Sequence, residues 1–224
     1  MKTLALLGLA LAHSLTAAAN PVPAEFVAHD AVLVYVGDAT GPARGVGYQR
    51  SSDTEYIGNQ GALKYLRNGN LILGFKLPEL RGGVSNVTFV VTKTGQSSPK
   101  FTWATQLYVF APDVDPRTLG RDDPAAVHYA DAKPDQRPSV RLLDDKFITQ
   151  RTRKGPVAVD LAKLFVKGGP LADFYGADGK PKSKDGMIWF RLNQGGKPGG
   201  AVERIKIDQS ASDTNSPKLL FTLR

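Results

Sequence analysis

The chain has 224 residues, with 29 Lys and Arg against 21 Asp and Glu, a formal charge of +8 at pH 7, and no cysteine. Disulfides, thiolate metal sites, iron–sulfur clusters and a thiol nucleophile are therefore excluded. Three histidines, one of them His13 near the N-terminus, leave little material for a histidine metal centre. Apolar residues at 42% and charged residues at 22% suit a folded chain, and 23 Gly with 15 Pro argue against a helical bundle.

Lys2, the apolar run Leu4–Leu11 and the small residues Ala17-Ala18-Ala19 form the pattern of a secretory leader. A signal peptide is expected over 1–19, cut after Ala19, with a single domain over 20–224. The mature chain is then secreted or periplasmic, with no membrane span once the leader is removed. Ala31–Val36 is a continuous apolar strand. Asn70–Leu77 alternates, with Leu71, Leu73, Phe75 and Leu77 on one face. Asn68-Gly69 just before it is a hairpin signal, because both residues tolerate positive φ. Arg81-Gly82-Gly83 separates this strand from Asn86–Thr92, where Val87, Phe89 and Val91 share a face. Gln106–Phe110 is another short run.

Ala111–Pro138 holds Pro112, Pro116, Pro124, Pro134 and Pro138 and cannot be one continuous element. It is expected as a long loop insertion with a short helix near Asp123–Tyr129. Val157–Leu161 is a strand. Asp160–Lys167 would follow as one or two helical turns, capped by Asp160 and stopped by Gly168-Gly169-Pro170. Ile188–Leu192 and Val202–Asp208, joined by the Gly-rich Asn193–Gly200, are expected as antiparallel neighbours. Lys218–Leu223 closes the chain. Many short alternating strands predict an all-β, antiparallel two-sheet sandwich.

The order of these segments resembles the DNRLRE-type domain of bacterial secreted proteins. Asp30-Ala31-Val32-Leu33-Val34 is similar to that family's opening strand. Tyr56-Ile57-Gly58-Asn59 with Ala62-Leu63-Lys64-Tyr65 is similar to its second segment, and Leu71 to Pro78 to its next strand, where Gly74 and Lys76 depart from the usual residues. Val84 to Phe89, Val157 to Leu161, Met187 to Leu192, Ile207 to Ser210 and Ser216 to Leu219 resemble the later ones. The resemblance implies a jelly-roll sandwich related to carbohydrate-binding modules, with a structural Ca²⁺ common in folds of this type.

Candidate site residues come from alternation. If Ile188, Phe190, Leu192, Ile205 and Ile207 face the core, then Trp189, Arg191, Arg204 and Lys206 share an outer face. An aromatic ring among cations suits stacking on a sugar and charge-assisted bonds to its carboxylate or sulfate. Arg151-Thr152-Arg153-Lys154, whose alternate spacing would put Arg151 and Arg153 on one side of a strand, and Lys180, Lys182 and Lys184 are further basic clusters. Asp30 and Asp208 would hold Ca²⁺ if the terminal strands lie side by side. The expected function is a non-catalytic module that binds extracellular or cell-wall polysaccharide, acidic by preference. The alternatives are a polysaccharide lyase or hydrolase, a lyase using His128 or Tyr129, and a cell-surface structural or assembly domain. Nucleic acid is not an expected partner, because an exported chain without a recognised binding motif offers it no interface.

Overall fold

The alternating runs fold as strands, and every pairing between them is antiparallel. The computed structural model describes residues 20–36, 43–49, 56–59, 66–97, 103–118, 139–143, 147–195, 203–209 and 214–224. The leader over 1–19, His128, Tyr129 and the short helix expected near Asp123–Tyr129 lie outside the described residues. The strands are β1 (Val22–Pro23), β2 (Glu25–Val36), β3 (Ala43–Gln49), β4 (Tyr56–Asn59), β5 (Leu66–Lys76) and β6 (Val84–Gln96). There follow β7 (Thr105–Phe110), β8 (Ser139–Leu143), β9 (Gly155–Asp160), β10 (Met187–Gln194), β11 (Glu203–Ile207) and β12 (Lys218–Leu223).

One hydrogen-bonded path runs β1-β12-β6-β11-β4-β5-β10-β7-β8, with β2 and then β3 beyond the other edge of β5, and β9 on β6. The path turns over between β6 and β5, since Phe89 of β6 packs against Phe75 of β5 and Phe190 of β10 across the core. This makes a sandwich with β1, β12, β6, β9 and β11 in the first layer and β3, β2, β5, β10, β7, β8 and β4 in the second. The core between them is built from the odd residues of β5 and β6 and the even residues of β10. Phe89 of β6 meets Phe190 of β10 at 4.9 Å and Phe75 of β5 at 6.1 Å, and Phe75 meets Phe190 at 6.0 Å. Tilted and edge-on rings at these separations add to the burial of about 1.5–3 kcal/mol per side chain. Val87, Val91, Leu219, Phe221, Ile205 and Ile207 complete the first layer's inner face, all fully buried. No helix among the described residues is long and apolar enough to cross a membrane.

Three local expectations are corrected. Asn68-Gly69 is not a hairpin turn. It lies inside β5, where Gly69 pairs with Leu33 of β2 on one edge and Gly58 of β4 on the other. Partners on both edges hold the dipeptide extended and override its turn preference. Strands β10 and β11 are not neighbours either: β4 and β5 lie between them. Strand β10 belongs to the second layer and β11 to the first. Arg151–Lys154 is a turn rather than a strand, and β9 begins only at Gly155.

Other local signals hold in whole or in part. Gly82 takes φ +113° in the link between β5 and β6. Asp160 Oδ1 accepts the backbone N–H of Ala162 at 2.8 Å and so closes a turn, but the N-cap of the single 3-10 turn over Ala162–Leu164 is Leu161 and not Asp160, and the turn stops short of Lys167. Of the Pro-rich loop, Ala111–Thr118 is described.

Candidate functional site

Ile188, Phe190 and Leu192 face the core as alternation requires, and Trp189 and Arg191 point the other way. That outer side is covered, which corrects the expected open face. Trp189 is 4% exposed and Arg191 1%. The Trp189 ring lies on Gly74 of β5, its cross-strand partner: a Cβ built on Gly74 would sit 2.5 Å from the ring. On its other side the guanidinium of Arg117 stands 4.9 Å from the ring centroid. Arg117 comes from Ala111–Thr118, the described start of the Pro-rich segment, which is tied to the 183–186 turn by Lys184 N–H to Pro112 O at 2.8 Å. The Arg191 guanidinium lies over Tyr108 at 4.4 Å and near Phe110 at 5.6 Å. Its Nε donates to Asn193 Oδ1 at 3.5 Å, and Gln106 Oε1 accepts from Asn193 Nδ2 at 3.3 Å and from the Tyr108 hydroxyl at 2.8 Å. This is a small second core on the back of β5, β10 and β7.

Asp115 fixes the covering arginine. Its carboxylate accepts Arg117 Nε and Nη2 at 2.7–3.1 Å, and the bond from Arg117 holds it below the ordinary aspartate value of 3.8. The folded pKa is the lower one, so this contribution is complete above the ordinary value and is lost as pH falls through the depressed one. Arg117 is expected to leave the Trp189 ring only below about pH 3.8. Tryptophan emission of a Trp103→Phe variant, followed through an acid titration, reports that release. A midpoint near neutral pH would show that Asp115 does not hold the cover.

Arg204 and Lys206 sit apart from Trp189 and Arg191, on the outer face of the first layer, because Ile205 and Ile207 between and beside them are buried. There the register gives them new neighbours. Lys206 pairs with Gly95 while Ile207 pairs with Lys93, so Thr94 is the extra residue of a bulge in β6. On the opposite edge of β6, Lys93 pairs with Gly155, the first residue of β9, and the turn that ends in Lys154 leads into it. Lys206 and this turn thus flank β6 on its two edges. Thr94 is exposed between them. The Lys206 stem lies along Gly95, 3.7 Å from where a Cβ would stand. Arg204 extends the row one step along β11, where Ser97 binds its backbone N–H and C=O at 2.9 and 3.0 Å.

The turn carrying Arg151, Arg153 and Lys154 is fixed from below. Lys93 is on the inward parity of β6, after Val87, Phe89 and Val91, and is 2% exposed. Its Nζ donates to Thr152 O at 2.7 Å, Thr149 O at 3.0 Å, Gln96 Oε1 at 2.7 Å and, at a longer 3.5 Å, Gln150 O. Burial pulls its pKa below the ordinary lysine value, while the ring of oxygens satisfies the ammonium's donors. Arg151, Arg153 and Lys154 are exposed above it. Of the carboxylates beside these cations, Glu203 accepts the Trp103 indole N–H at 2.9 Å, and Asp208 is half-buried next to Thr92. The bulge has no sequence signature, so the placing of Lys206 beside Thr94 was not legible. The inward parity of Lys93 was.

The premise for the Asp30–Asp208 pair is corrected too. The first and last strands, β1 and β12, do pair, but neither aspartate lies on them. Asp30 is in mid-β2 opposite Ile72, in the second layer, and Asp208 follows β11 in the first. The Asp30 side chain lies outside the described residues. Among the described residues no group of three His, Cys, Asp or Glu side chains comes together.

Comparison with known protein families and with curated proteins found no match for this chain.

Proposed function

We propose that the protein is an exported, non-catalytic sandwich module that binds acidic polysaccharide across β6, between Arg204 and Lys206 on one side and Arg151, Arg153 and Lys154 on the other. The observation that carries this reading is the pairing of β11 and β9 with opposite edges of β6, which brings Lys206 and the basic turn before Gly155 to either side of the exposed Thr94. The five cations come from two segments far apart in sequence, one on each edge of β6. The excess of basic residues over the whole chain points the same way. The Thr94 hydroxyl adds a donor and acceptor suited to sugar hydroxyls. Cations carried by a firm sheet and a pinned turn lose little conformational entropy when a chain of carboxylates or sulfates lies across them. Long-range attraction speeds the encounter and weakens with salt. The resemblance to the DNRLRE-type domain agrees with an exported module of this kind.

The test is retention of the full chain on immobilised heparin and polygalacturonate, with dextran as the neutral control. Each exposed ion pair is worth about 0.2–1 kcal/mol, so removing one of these cations lowers affinity about two- to fivefold. The triple variant Arg153→Glu, Lys154→Glu, Lys206→Glu is expected to lose more than about tenfold. Its melting temperature should be nearly unchanged, because all three side chains are on the outer surface. Thr94→Lys, which places a cation between Lys206 and Lys154, should raise affinity about two- to fivefold. Equal retention of the triple variant, or equal binding of dextran by the wild type, overturns the reading.

A further inference from the structure

At the other end of the sandwich an open cleft of about 480 Å³ lies between the β5–β6 link and the segment after β9. From the geometry of this cleft we infer a second binding site, one that takes a single saccharide unit bearing a carboxylate. It is independent of the basic strip: β6 starts at the cleft with Val84 and reaches Lys93 about 30 Å away at the usual rise of a strand.

The floor of the cleft is aromatic and fixed. Phe165 and Tyr175 line it, and both rings stand edge-on to the fully buried Phe221, at 5.6 and 6.0 Å. Both are half-buried, so each keeps part of its surface open. The Tyr175 hydroxyl is spent on the fold: it donates to Pro78 O at 3.1 Å, and burial raises its pKa, so it stays a neutral donor. The two walls are stitched together by Leu80 N–H to Gly179 O at 2.9 Å. The cleft is therefore preformed, with a volume in the roughly 300–1,000 Å³ range of small-molecule sites.

The walls are low and polar. Gly82 leaves open backbone on the first wall, where Arg81 stands and the Arg224 side chain lies along Gly83, and Asp178 stands on the second wall beside Gly176. Asp178 is held in place by the N–H of Lys180, which its Oδ1 accepts at 3.1 Å. Stacking rings, backbone groups and an acceptor for hydroxyls suit the face and rim of a sugar ring, and a guanidinium opposite suits a carboxylate on it. A purely apolar ligand would leave Arg81 and Asp178 without use. Lys182, whose Cε packs close to Gly176, adds positive charge at the rim.

The experiment is amide NMR of the full chain titrated with free galacturonate and, in parallel, with galactose. Galacturonate is expected to shift the resonances of Gly82, Gly83, Gly176 and Gly179 in a saturable way, and galactose to do so at least about fivefold more weakly. Arg81→Gln should erase that preference. Ala177→Trp, at an exposed position on the rim, fills the cleft and should abolish both responses while heparin retention stays at the wild-type level. Absence of saturable shifts at the cleft, or shifts that survive Ala177→Trp, overturns the site. Equal response to galactose overturns the carboxylate assignment. Because heparin retention reads the strip alone, its loss in the wild type would sink the polysaccharide strip and leave the cleft standing.

Discussion

Trp189→Ala is expected to lower unfolding free energy by about 3–5 kcal/mol, as much as Phe190→Ala on the opposite face of the same strand. A residue on the outer face of a sheet normally costs little to truncate. Here the ring is pressed between the backbone of Gly74 and the guanidinium of Arg117, and only 4% of it is exposed. Truncation would empty a volume that Gly74, with no side chain, cannot refill. It would also leave Arg117 and the loop through Pro116 without their support, and Pro116 and Asp115 are themselves buried. Urea denaturation of the two alanine variants is the direct comparison. A loss below about 1 kcal/mol for Trp189→Ala, beside a large loss for Phe190→Ala, would mean the ring is open to solvent.

Lys93→Met is the second substitution with a large expected effect. Methionine approaches the length of the lysine stem and keeps the inward contacts, so the change isolates the ammonium. Its removal takes the donor from Thr149 O, Thr152 O and Gln96 Oε1 together. Acceptors left unsatisfied in a partly buried place cost about 2–3 kcal/mol in sum after water has entered. The local consequence separates this from a general loss of stability. The turn over Arg151–Lys154 should loosen, and trypsin should cut after Arg151 and Arg153 under conditions in which the wild type resists. Polyanion affinity should fall less than in the triple charge reversal, since the surface cations remain. A Lys93→Met protein with wild-type stability and wild-type resistance to trypsin would show that the ammonium does not hold the turn.

Alternation in the sequence determined more than the presence of strands. It set which residues of β5, β6, β10 and β12 face the core, because a pleated strand sends successive side chains to opposite sides whatever lies around it. Hence Phe75, Phe89, Phe190 and Phe221 were legible as core, and Lys93 as an inward lysine. Local chemistry also fixed the Asp160 side-chain turn and the glycine link at Gly82, since each depends only on residues close by in the chain.

What alternation leaves open is the far side of each face and the neighbour at each edge, and these the tertiary structure decided. The Pro-rich loop brought Arg117 onto Trp189, which turned an expected binding surface into a second core. Partners on both edges of β5 straightened Asn68-Gly69. The change of layer between β10 and β11 parted Arg191 from Arg204, and the pairing of β11 and β9 with opposite edges of β6 brought Lys206 and the turn ending in Lys154, distant in sequence, to either side of Thr94. The aromatic floor formed by Phe165 and Tyr175 likewise rests on Phe221, which joins the β9–β10 connection to the last strand. Each of these depends on contacts between segments far apart in the chain, and the periodicity of a single strand carries no information about them.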